Sequence, residues 1–146
     1  MPSKAILLDD RVLVALLIGE RLPLVRNAAR FTTSYFYFRA CRAVVAGAGG
    51  QLSGPFERLE PERRATALQR MLFLPADVGL PDPRTLVPEM VQVQQRHPHL
   101  NVLNTEAVAS ALLLGARLLL TPATVAGQLG PVLPVERIPF QTVELP

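Results

Sequence analysis

The chain has 146 residues, 49% of them hydrophobic, and its 15 basic and 12 acidic side chains give a net charge of +3. This composition suits one globular domain over residues 1–146 and excludes a long disordered chain. No apolar run reaches the roughly 20 residues that cross a bilayer, and the first residues lack a signal-peptide pattern, so we expect a cytoplasmic protein without membrane attachment.

The single cysteine, Cys41, excludes an internal disulfide and a cysteine-based metal cluster, and we expect a buried structural thiol.

The first element is an apolar run from Ala5 to Leu8, which has the length of a buried strand. Asp9 and Asp10 end this run, and the residues behind them carry helical spacing up to Gly19. Both carboxylates therefore lie where a strand ends and a helix begins. Ligands of open α/β sheets bind at that edge, but a helix N-terminus also attracts carboxylates as caps. The pair therefore indicates either a ligand site or a helix cap.

Helical patterns and short apolar runs alternate along the rest of the chain. Helices are predicted at residues 35–46 behind a cap at Thr33 or Ser34, at 61–72, at 85–96 behind a cap at Thr85, and at 104–115. Strands are predicted at 31–33, at Ile6–Asp9 and Leu118–Thr121 inside the sheet, and at Ile138–Glu144 toward an edge because of Pro139. The alternation predicts an α/β fold, a three-layer sandwich with a mainly parallel central sheet.

The predicted helix at 35–46 opens with four aromatic side chains in succession, Tyr35 to Phe38. They point all round the helix, and Arg39 and Arg42 follow on one face. Such a helix can stack on and clamp single-stranded RNA, or it can pack in the core or against a second copy of the chain. Because aromatic residues and arginine are enriched in interface cores, we expect a homodimer.

Two histidines, His97 and His99, flank Pro98 in a predicted loop. One intervening residue would allow a zinc pair, but no third ligand is indicated nearby. We therefore expect both to be surface side chains.

Two segments carry a family resemblance: residues 7–13, LLDDRVL, and residues 104–121, NTEAVASALLLGARLLLT. The first is similar to the opening of the PIN domain, in which an aspartate ends the first strand. The second is similar to that family's D-x-x-x-A-A segment with its later G-A and L-L-T. The chain therefore resembles the PIN-domain ribonucleases, which include the toxins of bacterial toxin–antitoxin pairs.

The resemblance implies three or four carboxylates that converge on Mg²⁺ or Mn²⁺ ions. Asp9 matches the first acid of the family and is the candidate metal ligand. Arg39 stands about where the second acid belongs, Asn104 corresponds to the third, and Ala123 falls near the fourth. We therefore expect no cofactor, or only weakly bound Mg²⁺.

Asp10 and Glu106 are displaced acids that could rebuild part of such a site. Two residues along a helix rotate a side chain by about 200°, so Glu106 should point away from Asn104. We expect an impaired or lost nuclease that acts by binding RNA or a protein, such as a small antitoxin-like partner. The alternative is an active Mg²⁺- or Mn²⁺-dependent endoribonuclease in which Asp9, Asp10, Asn104 and Glu106 are catalytic.

The loss of acids leads to a specific prediction for Arg39, which with Arg42 forms the basic part of the candidate site. Adjacent carboxylates raise each other's pKa unless a cation offsets their repulsion. An arginine needs only one carboxylate for a stable pair. We predict that Arg39 reaches the ends of the strands and pairs with Asp9 or Asp10. The alternative is that Asp10 caps the helix while Arg39 lies in solvent.

Overall fold

The computed structural model describes residues 5–22, 27–46 and 54–145. Its elements, in chain order, are β1 (Ala5–Leu8), α1 (Asp10–Leu17), β2 (Ala29–Thr32), α2 (Ser34–Ala46), α3 (Gly54–Glu57), α4 (Pro61–Leu72), β3 (Val78–Gly79), α5 (Pro83–Arg96), α6 (Val102–Leu114), β4 (Arg117–Leu120), α7 (Pro122–Thr124), a π-helical turn (Val125–Leu129), α8 (Gly130–Val135) and β5 (Phe140–Thr142).

The strands form one sheet in the order β3-β2-β1-β4-β5, and every neighbouring pair is parallel. In the centre, Leu7 of β1 lies opposite Phe31 of β2 and Leu118 of β4. Parallel neighbours need crossover connections, and the helices between the strands supply them. The predicted α/β fold is confirmed, with β1 and β4 inside the sheet and β5 at an edge.

Helices cover both faces of the sheet. Leu8 of β1 packs with Leu13 of α1 and Met71 of α4 on one face. Leu7, its neighbour in the chain, packs with Val108 of α6 and Leu133 of α8 on the other face. Successive side chains of a strand point to opposite faces, so a strand covered on both sides reads as an uninterrupted apolar run.

Some predicted boundaries differ from the structure. The fifth helix begins at Pro83, and its cap is Asp82, which accepts a hydrogen bond from the Arg84 N–H at 2.9 Å, rather than Thr85. Proline suits a first helical position, where its missing N–H is not needed, so the cap lies earlier than the sequence predicted. No helix of the described residues is both long and apolar enough to span a bilayer.

The prediction that His97 is a surface residue is wrong. Its side chain is only 12% exposed, and its Nε2 lies 2.5 Å from Oε2 of Glu136. Arg96 donates to both oxygens of the same carboxylate, from Nε at 3.0 Å and from Nη2 at 3.1 Å. This network joins the end of α5 to the end of α8, whereas His99 is exposed as predicted.

Cys41 is half-buried rather than fully buried. Its Sγ lies 3.5 Å from the carbonyl oxygen of Met71, and burial raises the pKa of the thiol. A raised pKa keeps the thiol protonated, which agrees with a structural role.

Candidate functional site

Asp9 follows β1, caps α1 and is fully buried. Its Oδ1 accepts a hydrogen bond from the Val12 N–H at 2.8 Å. Its Oδ2 accepts from the Thr121 N–H at 2.9 Å, from the Thr121 hydroxyl at 3.2 Å and from the Thr124 hydroxyl at 2.7 Å. The carboxylate therefore ties the start of α1 to the residues that follow β4.

Asp10 opens α1 and is 5% exposed. Its Oδ1 accepts from the Arg11 N–H at 2.9 Å, and its Oδ2 lies 3.2 Å from Nε of Arg39. Burial raises the pKa of Asp10, as does the charge of Asp9, while Arg39 opposes both effects. The predicted pair between Arg39 and one of the two aspartates is thus formed with Asp10.

Glu106 and Asn104 both lie in α6, but their side chains have different partners. Glu106 is 6% exposed, and its Oε1 accepts from the Tyr35 N–H at 2.9 Å, in the first turn of α2. Asn104 donates from Nδ2 to Oε1 of Gln128 at 3.0 Å, in the π-helical turn. As the rotation of about 200° between them predicts, the side chains of Glu106 and Asn104 point in different directions and bind different partners.

The acidic side chains of this site are engaged by protein partners. Mg²⁺ takes oxygen ligands in near-octahedral geometry, usually one or two carboxylates together with several waters. Asp9 has donors on both oxygens, Asp10 pairs with a guanidinium, and Glu106 accepts from a backbone N–H. Among residues 5–22, 27–46 and 54–145, no three His, Cys, Asp or Glu side chains form a group that could hold a metal.

The aromatic run of α2 divides between the core and the surface. Phe36 is 2% exposed, and the Tyr37 hydroxyl donates to the Met71 carbonyl at 2.7 Å. Tyr35 and Phe38 are 42% and 54% exposed. The guanidinium of Arg42 lies over the Phe38 ring, 5.5 Å from its centroid. The outer surface of α2 is therefore aromatic and cationic.

A groove of about 860 Å³ opens beside the acidic site, between α1, α3 and the residues after β5. Its lining includes Val14, Ile18 and Leu145 as apolar surface. The charged residues of its lining are two arginines, Arg11 and Arg58, and two glutamates, Glu20 and Glu144. This balance of charges gives the groove no preference for a polyanion over other ligands.

The sequence did not identify the threonines that hold Asp9. Thr121 belongs to the L-L-T motif, which is the only signal that pointed to it, and nothing in the sequence marked Thr124. Gln128, the partner of Asn104, was not identified either. No protein-family model matches this chain, and no curated protein matches it in sequence. Functional evidence therefore comes from the fold and the side chains.

Proposed function

We propose that this chain is a PIN-like domain that lacks metal-dependent nuclease activity and binds RNA without cutting it. The observation that carries this proposal is the pair between Nε of Arg39 and Oδ2 of Asp10, at 3.2 Å. Arginine is never deprotonated in proteins, so Arg39 keeps its positive charge at every working pH, although its side chain is 44% exposed. A hard cation would have to compete with that fixed charge for the same oxygen.

The surroundings of Asp9 support the same conclusion. Both of its oxygens accept hydrogen bonds, and the donors at Val12 and Thr121 include backbone N–H groups. A backbone N–H cannot turn away from a bound cation without moving the chain. Asp9 therefore serves as a structural acceptor, although it is the acid that matches the family.

The charge of α2 favours RNA over a second copy of the chain on this surface. The helix SYFYFRACRAVVA contains two arginines and no carboxylate. In a symmetric dimer the same patch meets itself, so the two arginines of one copy would face a surface that also carries arginines and no carboxylate of α2. RNA instead offers phosphates for the arginines and bases for the exposed rings of Tyr35 and Phe38.

Three further predictions remain open: a homodimer, a small antitoxin-like protein partner and a cytoplasmic location. If a homodimer forms, the charge of α2 favours another surface for it. Light scattering over a range of concentrations measures the dimer directly.

The proposal is tested with labelled single-stranded RNA incubated with the protein in Mn²⁺, in Mg²⁺ and in EDTA. We expect retarded migration of full-length RNA under all three conditions. Cleavage that requires a metal and disappears in Asp10→Asn would overturn the proposal and support the active nuclease. RNA that stays unbound under all conditions would also overturn it.

A further inference from the structure

We infer that the outer surface of α2 is a stacking site for unpaired bases of single-stranded RNA, centred on Phe38 and Arg42. This inference rests on the proposed RNA binding and adds the class of RNA and the residues that contact it.

Phe38 and Arg42 form a cation–π contact on the outer surface of α2. The Phe38 ring is 54% exposed, and the Arg42 guanidinium lies over it, 5.5 Å from the centroid. The ring attracts the cation through its quadrupole, which restricts two otherwise mobile side chains. A base that stacks on this pair loses less side-chain entropy than one that must order both groups.

Tyr35 extends the stacking surface by one helical turn. It lies three residues before Phe38, so the Cβ atoms are roughly 5–6 Å apart, and it is 42% exposed. Aromatic rings accept any base because every base has a π-face. The surface should therefore bind with little sequence preference.

Arg42 is the cation of this surface that is free to meet a phosphate. Arg39 shares its charge with Asp10. Arg42 forms no ion pair within the part of the chain that the structure describes. α2 itself carries no acid, and the two carboxylates that contact it are buried and paired, Asp10 with Arg39 and Glu106 with the Tyr35 N–H.

A base-paired RNA cannot use these residues in the same way. In an A-form duplex the bases are stacked on each other, and the deep, narrow major groove excludes side chains. Single-stranded RNA can splay its bases onto Phe38 and Tyr35. The inferred site therefore discriminates by strandedness.

The test is fluorescence anisotropy with a labelled single-stranded RNA of about 12 nucleotides and with the same strand annealed to its complement. The variants are Phe38→Ala and Arg42→Ala. Phe73→Ala is the matched control for the first, because Phe73 is 75% exposed at the end of α4. Arg84→Ala is the control for the second, an exposed arginine of α5.

We expect tighter binding of the single strand, and binding about 5- to 150-fold weaker in Phe38→Ala. Arg42→Ala should reduce the dependence of log K on log salt by about 0.7. Both controls should bind as the wild type does. All four side chains are exposed, so the melting temperatures should not change.

Two results would overturn the inference and leave the proposed function standing: equal affinity of Phe38→Ala and Phe73→Ala for RNA, or equal affinity of the wild type for duplex and single strand. A dimer that dissociates in Phe38→Ala while RNA affinity is unchanged would assign the surface to a second copy and overturn it too. No binding by the wild type would overturn both proposals.

Discussion

Replacing Asp9 with alanine would remove one carboxylate that serves two backbone and two side-chain donors. The backbone donors are the N–H groups of Val12 and Thr121, and the side-chain donors are the hydroxyls of Thr121 and Thr124. Because Asp9 is fully buried, its loss leaves these donors in the protein interior around the vacated space. The effect should therefore exceed that of losing an ordinary helix cap.

The magnitude follows from the individual contacts. Loss of the cap on Val12 costs about 1 kcal/mol. The Thr121 N–H is left buried without an acceptor, which costs about 1–3 kcal/mol more. The hydroxyls of Thr121 and Thr124 lie 3.2 Å apart and can bond to each other, so they add little. We expect Asp9→Ala to lose about 2–4 kcal/mol of unfolding free energy.

Urea unfolding followed by circular dichroism measures this loss. The matched control is Asp82→Ala, which removes an exposed cap that accepts only the Arg84 N–H, and it should lose about 0.5–1 kcal/mol. Equal losses in the two variants would show that the contacts of Asp9 with Thr121 and Thr124 add no stability, and the structural role assigned to Asp9 would be wrong.

Three further variants probe charge and backbone conformation by thermal melts. Burial raises the pKa of Asp10 above its ordinary value of 3.8, so the folded state loses stability as pH rises above 3.8 and the carboxyl ionises. Asp10→Asn should therefore have a higher melting temperature than the wild type at neutral pH. A difference in melting temperature that is the same at all pH values would refute this. The hydrogen bond from Arg96 is the largest cause of the lowered pKa of Glu136; burial opposes it, and the hydrogen bond from His97 lowers the pKa further. The stability that ionised Glu136 contributes is fully present above pH 4.5 and is lost as pH falls through the lowered pKa. Glu136→Gln should therefore have a lower melting temperature than the wild type above pH 4.5, and the difference should disappear at lower pH. Gly115 ends α6 with a φ of 59°, and a Cβ added there meets no atom within 4 Å. Gly115→Ala should therefore lose about 1 kcal/mol of unfolding free energy through backbone strain alone. An unchanged melting temperature would show that the backbone at this position is not strained by a side chain.

The sheet could be predicted where burial leaves a simple pattern. β1 and β4 are covered on both faces, which produces the apolar runs that the sequence shows. β3 was not predicted, because it has only two residues, Val78–Gly79, and lies in a segment rich in proline. α8 was not predicted, because Pro134 lies inside it and lowers its helix propensity. The helix forms because the packing of Leu133 in the core outweighs that low propensity.

Of the contacts in the candidate site, the sequence predicted only the ion pair between Arg39 and an aspartate. The repulsion between Asp9 and Asp10 predicted a cation beside them, and Arg39 was chosen because it stands about where the resembled family has its second acid; the structure pairs it with Asp10. The threonine partners of Asp9 lie 112 and 115 residues away in sequence, and Glu106 lies 71 residues from Tyr35. Such contacts depend on the order of strands in the sheet, which no local pattern contains.

Calorimetric titration of the wild-type chain with Mn²⁺ tests most directly whether the acidic site binds a metal ion. With Asp9 fully hydrogen-bonded and Asp10 paired to Arg39, we expect no saturable heat and no rise in melting temperature, because a ligand that does not prefer the folded state cannot stabilise it. Saturable binding of Mn²⁺ that disappears in Asp10→Asn would contradict the proposed absence of a metal site and support the alternative of an active nuclease.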